Sequence, residues 1–246
     1  MPNRAVLKLY KKVGETPLEC LARFRKSHPA YKNEKMTYAG RLDPMAEGVL
    51  LVLVGEECKK KEKYLNLDKE YEIDILFGFA TDTYDILGLV RKQSARIFSP
   101  FNGVPNHSEK ILADCFVKKF KQAYPPYSSK FWEKARAGTL IEKEIETKMV
   151  EIYKIKLLKI KNISKKSLIN YIIKTIGKVK GDFRQKQILA KWGKILQKSK
   201  QKKFQVISLK VKCSSGTYMR SLAHNIGNEV QVPTSILRIK RTIIYQ

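Results

Sequence analysis

The sequence has few of the residues that build metal and disulfide sites. Its four cysteines lie far apart at Cys20, Cys58, Cys115 and Cys213, no CxxC pair occurs, and there are three histidines. This pattern argues against a zinc site and against a disulfide framework, and it favours a reducing, intracellular compartment. No apolar run reaches the roughly 18–20 residues of a membrane span, and the N-terminal residues lack the sustained apolar region of a signal peptide. We therefore expect a cytoplasmic protein with no metal site and no membrane partner.

The sequence also has no motif that binds a nucleotide cofactor, and it has few acidic residues. Neither a Walker loop nor a GxGxxG segment occurs, so no nucleotide cofactor is expected. The 23 acidic residues face 50 Lys and Arg, which gives a net charge of +27. A charge this large opposes a compact state unless a polyanion offsets it, which indicates nucleic acid or an acidic membrane surface as partner. The membrane alternative is disfavoured because the basic helices lack a strong aromatic face.

Hydrophobic periodicity predicts an α+β fold in one domain, residues 1–246. Apolar runs and alternating patterns predict strands at 5–9, 49–54, 71–79, 148–160 and 204–213. A helix is predicted to begin after Thr16, where Pro17 and Glu19 supply a proline at the first helical position and a capping box, and a second helix is predicted over 109–122. We expect a mixed, largely antiparallel sheet with flanking helices.

Residues 161–203 are predicted to be a basic helical insertion between two strands. Apolar residues recur at helical spacing on both sides of Gly181-Asp182, which predicts two amphipathic helices joined there. Between Lys156 and Lys203, sixteen Lys and Arg stand against one acid, Asp182, a local charge of +15. We expect these helices at one edge of the sheet.

The loop over residues 38–48 contains a candidate catalytic carboxylate, Asp43. It comes shortly before an apolar strand, and such a loop is a rigid platform that faces water. Pro44 favours an extended backbone at Asp43, and Gly40 and Gly48 permit close approach of another chain segment. An aspartate that only bonds to its own Gly/Pro turn explains the same pattern.

Two further residues are candidates for the site. Gly216 permits a sharp turn after the strand ending at Cys213, so Arg220 is predicted in the first turn of a helix, where it suits a phosphate or a carboxylate such as Asp43. An exposed arginine on a solvated helix fits equally well. Tyr71 opens the apolar side of a strand, where it is either a core residue or a ring on which a flipped-out base stacks.

Six segments, in order, resemble the TruB family of tRNA pseudouridine synthases. They are KKVGETPLE (11–19), GRLDPMAEGVLLVLVGE (40–56), KEYEIDILFGFATDTYDILG (69–88), YPPYSSK (124–130), CSSGTYMRSLAHNIG (213–227) and LRIKR (237–241). Each segment is short, but together and in this order they span nearly the whole chain. The chain is therefore identified from its sequence as a member of this family, with the pseudouridine synthase fold.

The resemblance implies an isomerase that converts the T-loop uridine (position 55) of tRNA to pseudouridine without cofactor or metal. Asp43 would be the catalytic carboxylate, which either attacks the sugar C1′ or assists glycal formation. Arg220 would pair with Asp43, and Tyr71 would stack on the flipped uracil and take part in proton transfer. The remaining substrate-binding residues implied are Tyr38, which stands where bacterial members usually have a histidine that helps displace the base, Lys130, and Tyr218 and Leu237 in the uracil pocket.

The partner implied is the T-arm stem-loop of tRNA, bound by a monomer. The sequence stops at Gln246, directly after LRIKR, so we expect a short form without the family's C-terminal RNA-binding domain. The hypothesis that follows is that the helices of 161–203 substitute for that domain by binding phosphates. Two alternatives remain: the same chemistry on another RNA, as in guide-dependent eukaryotic and archaeal relatives, or a non-catalytic module that binds or folds RNA.

Overall fold

A computed structural model describes residues 5–94, 105–128 and 130–246. Within these ranges the strands are β1 (Val6–Lys11), β2 (Met36–Ala39), β3 (Ala46–Val54), β4 (Lys69–Phe77), β5 (Phe79–Thr81), β6 (Val90–Gln93), β7 (Lys119–Ala123), β8 (Thr147–Ser164), β9 (Lys203–Cys213) and β10 (Thr234–Ile244). The helices are α1 (Pro17–Ser27), α2 (Lys61–Leu65), α3 (Pro105–Phe116), α4 (Trp132–Ala137), α5 (Lys165–Ile176), α6 (Gln185–Lys198) and α7 (Met219–Glu229). Short 3-10 turns occupy Pro29–Tyr31, Gly55–Lys60 and Glu142–Glu144.

One twisted sheet organises the described residues. Its strand order is β1-β3-β10-β4-β9-β8-β7, and β2 also pairs with β3, at residues 51–54 rather than at residues 46–48, which pair with β10. β3 and β10 run parallel, whereas the other pairs of this sheet are antiparallel. β5 and β6 form a separate antiparallel pair. The predicted mixed, largely antiparallel sheet is therefore confirmed.

Alternating side chains of the central strands divide the core between the two faces of the sheet. On β4, Ile73 and Ile75 point to one face, where they pack with α3 and α7. Leu76 points to the other face and packs with the buried sides of α5 and α6. The predicted helix pair is thus confirmed, but its expected place at an edge is wrong: the pair covers a face of the sheet, because its apolar stripe needs a broad apolar partner.

Local sequence signals explain how the helices begin. The side chain of Thr16 accepts a hydrogen bond from the Glu19 N–H, and the Glu19 carboxylate accepts one from the Thr16 N–H, which completes the predicted capping box of α1. At the start of α5 the Ser164 hydroxyl accepts a hydrogen bond from the Ser167 N–H, without a reciprocal partner of the kind that Glu19 supplies in α1. On α6 the fully buried Trp192 donates its indole N–H to a backbone carbonyl 3.2 Å away. No helix in the described part of the chain is long and apolar enough to cross a membrane.

The prediction of one helix over 109–122 is wrong in its second half. The helix ends at Phe116, and residues 119–123 instead form β7, which pairs with β8. In this strand Phe120 and Gln122 turn inward and their lysine neighbours face solvent. If α3 continued to residue 122, backbone groups along the edge of β8 would stay unpaired. Pairing of residues 119–123 with β8 satisfies those groups, so this contact decides the structure of the segment against its helical sequence pattern.

Candidate active site

Asp43 lies in the loop that joins β2 to β3. The loop is fixed at both ends: the Ala46 N–H donates to the Asp43 carbonyl at 3.0 Å, and the Gly14 N–H donates to the Pro44 carbonyl at 2.9 Å. Gly48 has φ +114°, and a Cβ there would stand 2.2 Å from the Arg241 carbonyl oxygen, so only glycine allows β10 to approach. The Asp43 carboxylate remains 33% exposed at the end of this rigid loop.

Arg220, the second residue of α7, reaches this carboxylate. Its Nη2 lies 2.8 Å from Asp43 Oδ2, although only 4% of the arginine side chain is exposed. The same guanidinium donates to the carbonyl oxygens of Thr83 at 3.0 Å and of Tyr127 at 3.3 Å. Carbonyl groups from two separate loops therefore aim the arginine at Asp43, and a charge-assisted bond holds the pair together.

A second carboxylate, Asp85, is buried behind Arg220. Its Oδ2 lies 3.8 Å from Arg220 Nε, and its Oδ1 accepts bonds from the Thr83 hydroxyl and the Leu87 N–H. Burial raises the pKa of Asp85 to about 6, against the opposing effect of Arg220. Burial by itself would lower the pKa of Arg220, but Asp43 and Asp85 together raise it. The guanidinium therefore stays charged.

Asp43 and Arg220 border a cavity of about 370 Å³, within the range of roughly 300–1,000 Å³ of small-ligand sites. Tyr71 and Tyr218 line the same cavity. Burial raises the pKa of Tyr71, and burial together with the negative charge of Asp43 raises the pKa of Tyr218 to about 12. Both phenols are therefore protonated at neutral pH, so each offers an aromatic face and a hydrogen-bond donor.

The cavity wall also contains buried cations that bond to the main chain. Lys69 Nζ donates to the Leu65 carbonyl at 3.0 Å, and Arg241 donates to the carbonyls of Val49 at 2.7 Å and Gly40 at 3.0 Å. Burial and the neighbouring Arg241 charge lower the pKa of Lys69 to about 8. Within the described residues, neither Lys69 nor Arg241 has a carboxylate within 4 Å, so these side chains give the cavity wall positive charge.

Lys11 is a third buried cation close to Asp43. Its Nζ donates to the Ala46 carbonyl at 2.6 Å, and burial lowers its pKa to about 8 although the charge of Asp43 opposes the shift. Sequence reasoning assigned no role to Lys11, Lys69 or Arg241. The one sequence feature that could have indicated a role is that these residues lie in the segments KKVGETPLE, KEYEIDILFG and LRIKR, which resemble the family.

A second, larger cleft of about 630 Å³ opens beside the first and shares Asp43 and Arg220 with it. Aromatic and basic side chains line this cleft, namely Tyr127, Phe131, Trp132, Phe183, Lys130, Lys134 and Arg184. Lys130 belongs to this cleft and pairs with Glu146. Arg184, from the connection between α5 and α6, binds Asp82 and lies 4.4 Å from the centre of the Tyr127 ring.

The structure thus brings together Asp43, Tyr71, Tyr218 and Arg220 from the sequence-based set, and it places two other members elsewhere. Tyr38 packs on β2 against the N-terminal strands, with Lys61 Nζ 5.7 Å from its ring centre. Leu237 packs with Met45 on the opposite face of the sheet. The β10–β4 register shifts at Leu237, and Ile239 takes a place in the cavity wall.

The described residues contain no group of three or more His, Cys, Asp or Glu placed to hold a metal ion. All four cysteines are free thiols.

Comparison with known proteins identifies related sequences and folds. The tRNA pseudouridine synthase B of Borreliella burgdorferi is 29% identical over 237 residues, which cover 96% of this chain and 68% of that protein. That of Clostridium perfringens is 26% identical over 242 residues, covering 96% and 65%. The chain spans about two thirds of the length of these relatives.

Solved structures share the fold at lower identity. A Cbf5-Nop10-Gar1 complex matches with a TM-score of 0.55 and 19% identity over 97% of this chain and 48% of that one. An H/ACA RNP bound to a substrate RNA containing 2′-deoxyuridine matches with a TM-score of 0.54 and 18% identity, covering 97% and 47%. The sheet architecture is therefore that of a known fold. This chain spans about half the length of the chains in these solved structures.

The family model described as TruB family pseudouridylate synthase (N terminal domain) matches residues 28–175, more than half of the chain. This match defines the class of the protein as a pseudouridine synthase, an isomerase. The chain belongs to the TruB family. The predicted family and enzyme class are confirmed.

Proposed function

We propose that this protein isomerises the T-loop uridine of tRNA to pseudouridine, with Asp43 as the catalytic carboxylate. The observation that carries the proposal is the Asp43–Arg220 pair at 2.8 Å on the wall of a nucleoside-sized cavity. The bacterial relatives are tRNA pseudouridine synthases B, and this similarity supports tRNA as the substrate.

The reaction matches the chemistry of this cavity. Isomerisation breaks the N1–C1′ bond of uridine and forms a C5–C1′ bond, while the C5 hydrogen leaves as a proton and N1 gains one. One exposed carboxylate oxygen is sufficient either to attack C1′ or to assist glycal formation. Arg220 orients the Asp43 carboxylate through the charge-assisted contact of 2.8 Å.

The other cavity residues bind and position the base. Tyr71 provides an apolar ring against which a flipped uracil stacks, and its hydroxyl takes part in proton transfer. Tyr218 closes the pocket on the side of α7. Stacking and positive charge offset the cost of extruding the base, which is a few kcal/mol. No cofactor or metal ion takes part.

The second cleft accommodates nucleotides that flank the target. Its four aromatic rings and three cationic side chains form the combination that binds single-stranded RNA, since rings stack on bases and cations contact phosphates. Lys130 contributes here rather than in the uracil cavity. The T-arm stem-loop is the part of the tRNA that the protein binds. The protein acts as a monomer in the cytoplasm. Residues 1–246 form one catalytic domain, in which 161–203 are an insertion.

Tritium release from tRNA labelled with [5-³H]uridine tests the proposal. Wild type should release tritium, Asp43→Asn should release none, and Asp114→Asn should equal wild type because Asp114 is an exposed residue of α3. A tRNA with cytidine at the T-loop target should give no release at that site.

Tight tRNA binding by wild type without tritium release would overturn the enzymatic proposal in favour of an RNA-folding module. Release that persists with the cytidine-substituted tRNA would move the target to another uridine. Wild-type activity of Asp43→Asn would remove this carboxylate from the mechanism.

A further inference from the structure

The helix pair α5–α6 presents lysines on the side turned away from the core. Buried apolar side chains, Ile172 and Trp192 among them, hold the pair against the sheet. The lysines of both helices other than Lys165 are exposed: Lys166, Lys174, Lys186, Lys191, Lys194 and Lys198. The outer side of the pair therefore carries six exposed lysines, which we call the lysine face and define by these six residues.

The protein does not neutralise this surface. The ion pairs of the insertion use Lys161, Lys180, Asp182 and Arg184, which lie outside the lysine face. Within the described residues, none of the six lysines of the lysine face has a carboxylate within 4 Å. Uncompensated like charges on one surface repel each other, so a polyanion is the partner that fits.

The lysine face leads away from the active-site cleft. Phe183 and Arg184, in the connection between the helices, form part of the cleft wall. A Cβ on Gly14 would stand 2.2 Å from the Lys178 carbonyl oxygen, so the connection also packs tightly on the N-terminal loop. From the cleft, α6 extends for 14 residues, which is about 21 Å at 1.5 Å per residue. One RNA can therefore reach both the cleft and the lysine face.

We propose that the lysine face binds the phosphate backbone of the substrate RNA at nucleotides beyond those held in the cleft. The proposal rests on the proposed function for the identity of that RNA. A membrane surface fits less well, because Ile173 is the one large apolar side chain exposed in the described residues of the insertion, and membrane helices need an apolar face.

The test is the salt dependence of tRNA binding by the triple variant Lys191→Gln, Lys194→Gln, Lys198→Gln. These three lysines lie on one side of α6, and glutamine keeps helix propensity. The probe is a tRNA with cytidine at the T-loop target, so binding is measured without turnover. Each lost phosphate contact lowers the slope of log Kd against log salt by about 0.9. We expect the slope to fall by about 2–3, with affinity about a hundred- to a thousand-fold weaker near 0.1 M salt and converging with wild type near 1 M.

The matched control removes three exposed lysines outside the lysine face: Lys8→Gln, Lys26→Gln, Lys32→Gln. It changes net charge equally, and its slope should stay within about half a unit of wild type. A second variant, Lys166→Gln with Lys174→Gln on α5, should lower the slope by about 2. An unchanged slope in the α6 triple variant, or an equal fall in the control, would overturn the proposal.

This binding test is independent of catalysis. If wild type failed to release tritium, the proposed function would fall, while the slope would still show whether the lysine face binds RNA. Unfolding midpoints that match wild type show that the variants are folded.

Discussion

Arg184 should stabilise the active site although it belongs to the insertion. Its guanidinium binds Asp82 through two contacts of 3.0 and 3.3 Å and lies 4.4 Å from the centre of the Tyr127 ring. Asp82 precedes Thr83, and the carbonyls of Thr83 and Tyr127 both accept bonds from Arg220. Arg184 therefore ties together the two loops that aim Arg220 at Asp43, the proposed catalytic carboxylate.

Replacing Arg184 by alanine should lower the free energy of unfolding by about 3 kcal/mol. Breaking a fully buried ion pair costs about 3–5 kcal/mol, but the Arg184–Asp82 pair is only partly buried. Asp82 also keeps Arg91 at 3.6 Å and the Leu89 N–H at 2.9 Å, so we expect about 2 kcal/mol from the loss of this pair. Loss of the contact with the Tyr127 ring adds about 1 kcal/mol. Arg184 has φ +63°, so Arg184→Gly should be about 1 kcal/mol more stable than Arg184→Ala.

Two measurements check this reasoning. Urea unfolding should rank the variants as wild type, then glycine, then alanine. Single-turnover tritium release should be about ten-fold slower in Arg184→Ala, which corresponds to about 1.4 kcal/mol of transition-state stabilisation, with tRNA affinity nearly unchanged. Equal stability of the two variants would refute the backbone argument, and a wild-type rate in both would refute the positioning role.

The remaining predictions concern buried charge and backbone geometry. The raised pKa of Asp85, about 6 against 3.8, gives stability that is present below pH 3.8 and lost as pH rises through 6. Chemical denaturation should be measured for wild type and for Asp85→Asn. The free energy of unfolding of wild type minus that of the variant should fall by about 3 kcal/mol between pH 3.5 and 7. A difference that does not change with pH would contradict the argument that burial raises the pKa of Asp85. Gly48→Ala should lower stability by 3 kcal/mol or more, because φ is +114° and the new Cβ meets Arg241. Its control, Gly193→Ala inside α6, meets nothing within 4 Å and should raise stability by up to about 1 kcal/mol; thermal unfolding compares the two, and an equal effect would refute the reasoning.

Local sequence patterns correctly predicted the helices and strands that are determined by neighbouring residues in the sequence. The capping box at Thr16, the alternation along β4 and the helical spacing around Trp192 each correspond to a described element. The predicted helix start left Arg220 with either a phosphate or a carboxylate such as Asp43 as its partner, and the resemblance then selected Asp43.

Features set by tertiary context were not predictable in this way. The sequence pattern of residues 119–123 is compatible with a helix, but in the fold these residues pair as a strand with the edge of β8. Lys11 and Lys69 look in the sequence like any of the chain's 50 basic residues, because burial of a lysine depends on carbonyl groups that the fold brings together. The register shift between Ile236 and Arg238 changes the face of the residues that follow it, so that Ile239 rather than Leu237 lines the cavity, and no composition or motif indicates this shift.

The central position of β10 has a consequence for biosynthesis. This strand lies between β3 and β4, and its residues Ile239 and Arg241 complete the cavity wall. A ribosome-bound nascent chain therefore holds two incomplete half-sheets until residues 234–244 have emerged, and pairing across such a long chain separation is slow. The cavity bordered by Asp43 and Arg220 is therefore complete only after β10 has paired with both β3 and β4.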